Sequence, residues 1–210
     1  MSLLLGDIAP DFDSHTQSGT FNFYEWLDNS WAILFSHPKD FTPVCSTEIA
    51  EVAQLLPDFT RRNVKVATLS AGSPESHRDW AKELSVAFDI QVEFPLIADG
   101  EELAVARLYG MVHPNTSDVT TIRSVFVIDP NKRVRLTLSY PHTTGRNFHE
   151  LLRTIDSLQL ADRSNIVTPA EWEPGDRVLV PHDVSDEKAG EQFDDIDRPL
   201  PYVRRVTPPN

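Results

Sequence analysis

Apolar runs of strand length alternate with segments of helical period through the first three quarters of the chain. This alternation constrains the fold most, because it is the pattern of an α/β layer structure. Trp31-Ala32-Ile33-Leu34-Phe35-Ser36 is a continuous apolar run of the kind found in strands covered on both faces. After a proline-containing loop, Ile49, Val52, Ala53, Leu56 and Phe59 recur at spacings of three and four, which predicts a helix that kinks or ends at Pro57. Residues 64–70 (VKVATLS) read as a second strand. Ser73-Pro74-Glu75 starts a second long helix, with serine as N-cap and proline in the first turn, and Trp80, Leu84 and Phe88 as its apolar stripe. Residues 95–98 suggest a short strand, and 101–109 a helix closed by Gly110. Residues 122–128 and 133–140 predict two strands joined by the turn sequence Asp129-Pro130-Asn131-Lys132, hence a hairpin. A helix over 148–160 follows, with Leu151, Leu152, Ile155 and Leu158 inward. Parallel β/α units plus a hairpin predict a mixed sheet flanked by helices, a class that includes the thioredoxin-like arrangement.

The last part changes character. Seven of the 16 prolines lie from Pro169 onward, and acids cluster between Asp183 and Asp197. Only 177–180 (RVLV) reads as a strand there. With so few apolar residues, this stretch is expected not to fold alone but to pack on the main domain or on a partner chain. The expected division is a main domain over 1–165 and a small C-terminal domain over 166–210.

Composition enters chiefly by exclusion. There is one cysteine, Cys45, so there is no intramolecular disulfide, no thiol-rich zinc cluster and no C-x-x-C pair. A net charge of −13 argues against a phosphate-backbone binder, so no nucleic-acid partner is expected. No stretch approaches the roughly 20 apolar residues of a membrane span, and Leu3-Leu4-Leu5 is too short for a signal segment. The expected location is cytoplasmic, where thiols stay reduced. Histidines 15, 77, 113, 142, 149 and 182 show no metal-ligand spacing and read as surface or core residues. Neither a metal nor a bound cofactor is expected.

The segment with the most chemistry is 37–48, HPKDFTPVCSTE. Thr42 is a good N-cap and Pro43 fits the next position, which makes Cys45 the third residue of a first helical turn. A helix N-terminus offers unpaired N–H groups and the positive end of the helix dipole, and both favour a thiolate over a thiol. The loop follows the C-terminal end of a buried strand, where open α/β sheets place their sites. Thr42 is also within local reach of the sulfur or of a substrate oxygen beside it.

HPKDFTPVCSTE resembles the active-site signature of the peroxiredoxins, and most closely that of the one-Cys class. The resemblance continues at Arg123 in IRSVFVIDP, at YPHTTGRNFHELLR and at TPAEWEPGDRV, so it covers nearly the whole chain in order. It implies a thioredoxin-like fold and a thiol-dependent peroxidase acting on hydrogen peroxide and alkyl hydroperoxides in antioxidant defence. By the same resemblance Cys45 is the peroxidatic nucleophile, oxidised to sulfenic acid. Thr42 hydrogen-bonds the peroxide, and Arg123 stabilises the thiolate and the charge spreading over the O–O bond. Pro38 shields the pocket, His37 shapes it or assists proton transfer, Arg146 supplies a second arginine, and Glu48 orients the arginines. With no second cysteine, an external reductant must resolve the sulfenic acid: glutathione, a thioredoxin-like protein or ascorbate. A homodimer, with larger rings as an extension, is implied as well.

Some members of the class carry a phospholipase serine in a G-D-S-W-G motif, with a histidine and an aspartate. This chain has Asp28-Asn29-Ser30-Trp31-Ala32, with Tyr24 and Asn131 at the partner positions, so no triad-based lipase activity is expected. Two rival readings stand beside the peroxidase. One is a Cys–His hydrolase using Cys45 and His37. The other is a non-enzymatic, chaperone-like assembly whose activity survives loss of the cysteine.

Overall fold

The computed structural model describes residues 3–209. The chain divides into two compact units, one ending at Phe148 and one beginning at His149.

The first unit is built on a seven-stranded mixed sheet in the order β2-β1-β5-β4-β3-β6-β7. Its strands are β1 (Asp13–Thr16), β2 (Gly19–Asn22), β3 (Trp31–Ser36), β4 (Val64–Ser70), β5 (Leu96–Ala98), β6 (Arg123–Ile128) and β7 (Val134–Tyr140). Strands β3, β4 and β5 run parallel, joined by helices, and the rest pair antiparallel. β3 has β4 on one side and β6 on the other, and all six of its residues are buried, as a central strand of unbroken apolar sequence requires. Alternation then divides its side chains between faces. Ala32 and Leu34 join Ala67, Leu69, Phe126 and Ile128 in a core with an aromatic centre of Phe12, Phe23 and Tyr109. The predicted β6–β7 hairpin is present, with Lys132 at φ +65° closing its turn.

The helices of this unit are α1 (Phe23–Leu27), α2 (Pro43–Arg61), α3 (Pro74–Phe88) and α4 (Ala104–Leu108). Three depart from the sequence expectation. α2 does not end at Pro57 but runs on to Arg61. Pro57 lies on the exposed side, so water can satisfy the carbonyl its ring displaces, while Leu55 and Phe59 stay buried on the inner side. On α3, Ser73 caps the Ser76 amide as expected, yet the buried stripe is His77, Trp80 and Leu84, and Phe88 is 40% exposed. α4 begins three residues later than predicted, because the Asp99 carboxylate accepts from the amides of Val105 and Ala106 and so fixes the helix start there. Gly110, at φ +70°, terminates it in the left-handed conformation glycine tolerates.

The second unit takes in α5 (Phe148–Ser164) from its second residue and continues through β8 (Val178–Leu179), α6 (Asp186–Gln192), β9 (Asp197–Leu200) and β10 (Val203–Val206). The three strands form a separate sheet in the order β8-β10-β9. This region was expected to hold too few apolar residues to fold alone, and it shares a small core with the helix before it. Leu160 from α5 gathers Ile166, Trp172, Val178, Val180, Ala189, Phe193 and Val206. The missing contribution is the end of α5, which the expected boundary at residue 165 assigns to the first domain. The prolines and acids stay mainly on the outside, and Asp186 pairs with Arg198 and Arg204.

Candidate active site

β3 ends at Ser36, and the chain then turns through His37-Pro38-Lys39-Asp40-Phe41 before α2 begins. Phe41 takes a left-handed φ of +54°, unusual for a bulky residue, and its ring stays 52% exposed. Thr42 is the N-cap residue with extended backbone, and Pro43 opens the helix, as predicted. The Thr42 hydroxyl, however, caps no amide. It donates to the Lys39 carbonyl at 2.8 Å, within its own tight loop. The first intrahelical bond runs from the Ser46 amide to the Thr42 carbonyl, so the amides of Val44 and Cys45 have no acceptor inside the helix.

Cys45 is fully buried, and its Sγ accepts from Nη1 of Arg123 at 3.4 Å. Arg123 is the first residue of β6, the antiparallel neighbour of β3, which brings its guanidinium across to the helix start. Its Nε and Nη2 both donate to the His142 carbonyl, at 3.1 and 3.0 Å, and its Nη1 also donates to Glu48 at 2.6 Å. Glu48, one turn beyond Cys45 on α2, accepts from Nε and Nη2 of Arg146 and from the Arg146 amide. Arg146 spends its remaining donor on the carbonyls of Ser36 and Ser124 and stacks on Phe35 at 4.7 Å. Burial pushes the Arg146 guanidinium below its ordinary range, and the Glu48 carboxylate opposes that push. Two guanidiniums and one carboxylate therefore leave one net positive charge buried beside the sulfur, which is what a developing oxyanion or a thiolate needs.

Of the residues predicted from sequence, Cys45, Arg123, Glu48 and Arg146 come together in one hydrogen-bonded group. Thr42 stands at the helix start and Pro38 is half-buried in the loop. His37 faces elsewhere. Its Nδ1 meets Thr68 Oγ1 and its Nε2 meets Asp40 Oδ1, both at 2.9 Å, and the bonds at its ring do not include Cys45. Burial drives its pKa below the usual histidine range, against the pull of Asp40.

Sequence reasoning missed the other side of that network. Asp40 also accepts from His77 Nδ1 at 2.8 Å and from Ser76 Oγ at 2.6 Å, which ties the loop to the start of α3. Burial disfavours the Asp40 carboxylate, but the hydrogen bonds from His37 and His77 outweigh it and hold the group well below the ordinary carboxylate range. Asp40 and His77 are 37 residues apart, so no local spacing reveals the pair. The His142 carbonyl is a second omission, since a backbone acceptor leaves no mark on side-chain chemistry. Ser30 lies on the rim of β3, with its hydroxyl donating to the Asn63 side chain at 3.1 Å, while the Tyr24 hydroxyl donates to the Ala9 carbonyl.

The chain is also similar to known proteins along most of its length. A family profile described as the AhpC/TSA family matches residues 5–137, and one described as the C-terminal domain of 1-Cys peroxiredoxin matches 157–195. The chain is 43% identical over 206 residues to a 1-Cys peroxiredoxin of Dictyostelium discoideum, covering 98% of this chain and 85% of the relative. It is 44% identical to human Peroxiredoxin-6, covering 91% and 88%. Among solved structures, a yeast mitochondrial 1-Cys peroxiredoxin described as resolved through glutathione/thioredoxin systems superposes with a TM-score of 0.92 at 44% identity, covering 98% of this chain and 99% of that one. A cysteine-to-serine mutant of Peroxiredoxin 6 from Arenicola marina gives 0.94 at 41% identity, with both chains fully covered.

Proposed function

We propose a reaction cycle from the premise that this chain belongs to the peroxiredoxin family, in its one-Cys branch. The protein is a thiol-dependent peroxidase. The observation that carries the cycle is the Arg123 guanidinium 3.4 Å from the buried Cys45 sulfur.

The Cys45 thiolate attacks one oxygen of the peroxide. An S–O bond forms as the O–O bond breaks, the sulfur gives up two electrons to become sulfenic acid, and the leaving hydroxide or alkoxide takes up a proton, balancing the one the Cys45 thiol released to solvent on ionising, to depart as water or alcohol. Arg123 holds the charge that moves from sulfur to the departing oxygen, and Glu48 and the His142 carbonyl fix its plane so that no reorganisation is needed during attack. Arg146 anchors Glu48 to β3 and β6 through the Ser36 and Ser124 carbonyls. Because the Thr42 hydroxyl donates to Lys39, its oxygen is left as an acceptor for the peroxide O–H, which would orient the other oxygen toward the amides of Val44 and Cys45. Pro38 limits water at the loop. His37 contributes by holding the loop through Asp40 rather than by moving a proton at the sulfur.

An Arg123→Met variant is expected to slow the attack on peroxide by about 100- to 1,000-fold. Stopped-flow loss of intrinsic fluorescence during oxidation reads this rate. A variant within threefold of wild type would remove Arg123 from the charge-stabilising role.

The chain has one cysteine, so the electrons that regenerate it come from outside. An external thiol attacks the sulfenic sulfur, water leaves, and a second thiol reduces the mixed disulfide. Glutathione, a thioredoxin-like protein and ascorbate are the candidate reductants. The relation to the yeast mitochondrial protein, with its glutathione/thioredoxin systems, favours the first two. A reducing compartment suits such a cycle, and we place the protein in the cytoplasm. A homodimer, with rings as the higher assembly, is the proposed quaternary state, and β7 at the edge of the sheet offers a strand for pairing. Peroxide consumption with each reductant in turn, with light scattering on the same sample, tests both statements. Turnover supported by none of the three reductants would overturn the first, and a monomer mass the second.

A further inference from the structure

His37 and Asp40 come from the active-site loop that follows β3 and His77 from α3, and their ligand atoms all lie within 4.8 Å of one another. All three residues are buried, at 0%, 4% and 0% exposure. The peroxidase cycle uses none of them at the sulfur. We propose that they form a binding site for a first-row transition divalent cation, of the zinc or cobalt(II) class, beneath the active-site loop.

The donor set is the first reason. Two imidazoles and one carboxylate favour such ions over magnesium or calcium, which prefer all-oxygen surroundings. The second reason is the outer support of each donor. A metal-bound histidine nearly always engages its other ring nitrogen with an oxygen partner, which fixes the tautomer and the ring plane. Here His77 Nε2 faces the Ile97 carbonyl at 3.2 Å. A carbonyl only accepts, so Nε2 keeps its proton, and an ion would take the place of the proton that Nδ1 donates to Asp40. His37 Nδ1 is engaged by the Thr68 hydroxyl at 2.9 Å, which leaves Nε2 turned toward the same carboxylate. Asp40 is in turn held by the Ser76 hydroxyl at 2.6 Å.

Size and access fit as well. Bonds of about 2.0–2.1 Å place tetrahedral ligands roughly 3.4 Å apart; His37 Nε2 meets Asp40 Oδ1 at 2.9 Å, His77 Nδ1 meets Oδ2 at 2.8 Å, and the ligand atoms of the set lie within 4.8 Å of one another, so side-chain shifts of about half an ångström to about 1.4 Å seat an ion among them. A cavity of about 280 Å³ opens onto Asp40 between Pro38, Phe41, Gly72, Ser76 and Thr120, and it gives an ion a path and a place for a water ligand. Gly72 keeps the cluster uncovered, since a Cβ there would stand 2.6 Å from His77 Cε1 and 2.7 Å from Asp40 Oδ2. A bound ion would clamp the loop that leads into Cys45 onto β3 and α3.

The test uses the full-length chain carrying Cys45→Ser, so that the thiol cannot bind the probe. Equilibrium dialysis against cobalt(II) should give one ion per chain, and X-ray absorption of the loaded protein should show two imidazoles with oxygen completing the shell. His77→Gln should weaken that binding by about 100-fold or more, beyond what loss of an outer-shell partner costs. Absence of stoichiometric binding overturns the site. So does a shell with fewer than two imidazoles, a reading on the parent chain that stands even where the His77 variant does not fold. Unchanged affinity in a folded His77→Gln variant overturns it too.

Discussion

A Cys45→Ser variant is expected to lose peroxide turnover by at least about 1,000-fold, the scale on which removing a covalent nucleophile acts. Serine keeps the size of the side chain but offers an un-ionised hydroxyl, a far weaker nucleophile than a thiolate. No second cysteine can take over. The fold should survive, because the serine hydroxyl fills the same buried space and can still accept from Arg123. The loss therefore appears in turnover with reductant and peroxide, while the melting temperature stays within a few degrees of wild type. The same variant separates the rival readings. Retained protection of a client protein against aggregation would support an assembly role independent of the thiol. Retained hydrolysis of an activated ester would exclude Cys45 as a hydrolase nucleophile.

The second large effect is on stability and follows from Glu48. Its carboxylate, buried with 2% of its side chain exposed, lies between two guanidiniums that are themselves 4% and 1% exposed. A buried pair adds little net stability while intact, but removing one member leaves the other charged and unsolvated. Glu48→Ala leaves two such charges and also orphans the Arg146 amide that Glu48 accepts. The expected cost is about 3–5 kcal/mol, with a fall in melting temperature of roughly 6–20 °C for a chain of this size. Activity should fall with it, since Arg123 would keep the His142 carbonyl but lose the carboxylate that sets its second contact. Glu48→Gln, which keeps the shape and one acceptor oxygen, should lie between wild type and the alanine variant. A Glu48→Ala protein that melts within 2 °C of wild type would show that water reaches the arginines and that the network is not the buried unit described above.

The legible parts of this molecule are those where local sequence and global fold agree. The apolar run 31–36 reads as a covered strand, and Ser73-Pro74 as the opening of a helix, and both are so placed. Cys45 was legible because Thr42-Pro43 fixes the helix start chemically, and Arg123 because a family motif carries it. The failures have physical causes of their own. Pro57 breaks no helix because the bond it removes lies on the solvent side. The N-terminal hairpin β1–β2 and helix α1 were not assigned, being too short to show a period. The C-terminal core was invisible because Leu160 and Trp172 complete it from segments that look unrelated in sequence. Thr42 reads as a capping residue, yet its hydroxyl turns back to donate to the Lys39 carbonyl instead of accepting from an amide of the first turn, a choice that composition does not encode. His77 could not be joined to Asp40 by spacing, because the sheet, not the local chain, brings α3 beside the loop.

The central claim is that Cys45 is oxidised by one oxygen atom and waits for an electron donor from outside the chain. Mass spectrometry of the reduced protein after one equivalent of hydrogen peroxide, with a sulfenic-acid trap present, tests it most directly. The account predicts that the peptide containing Cys45 gains a single oxygen, is captured by the trap, and returns to its starting mass when an external reductant is supplied. A Cys45 peptide left unmodified while the peroxide is consumed would contradict it.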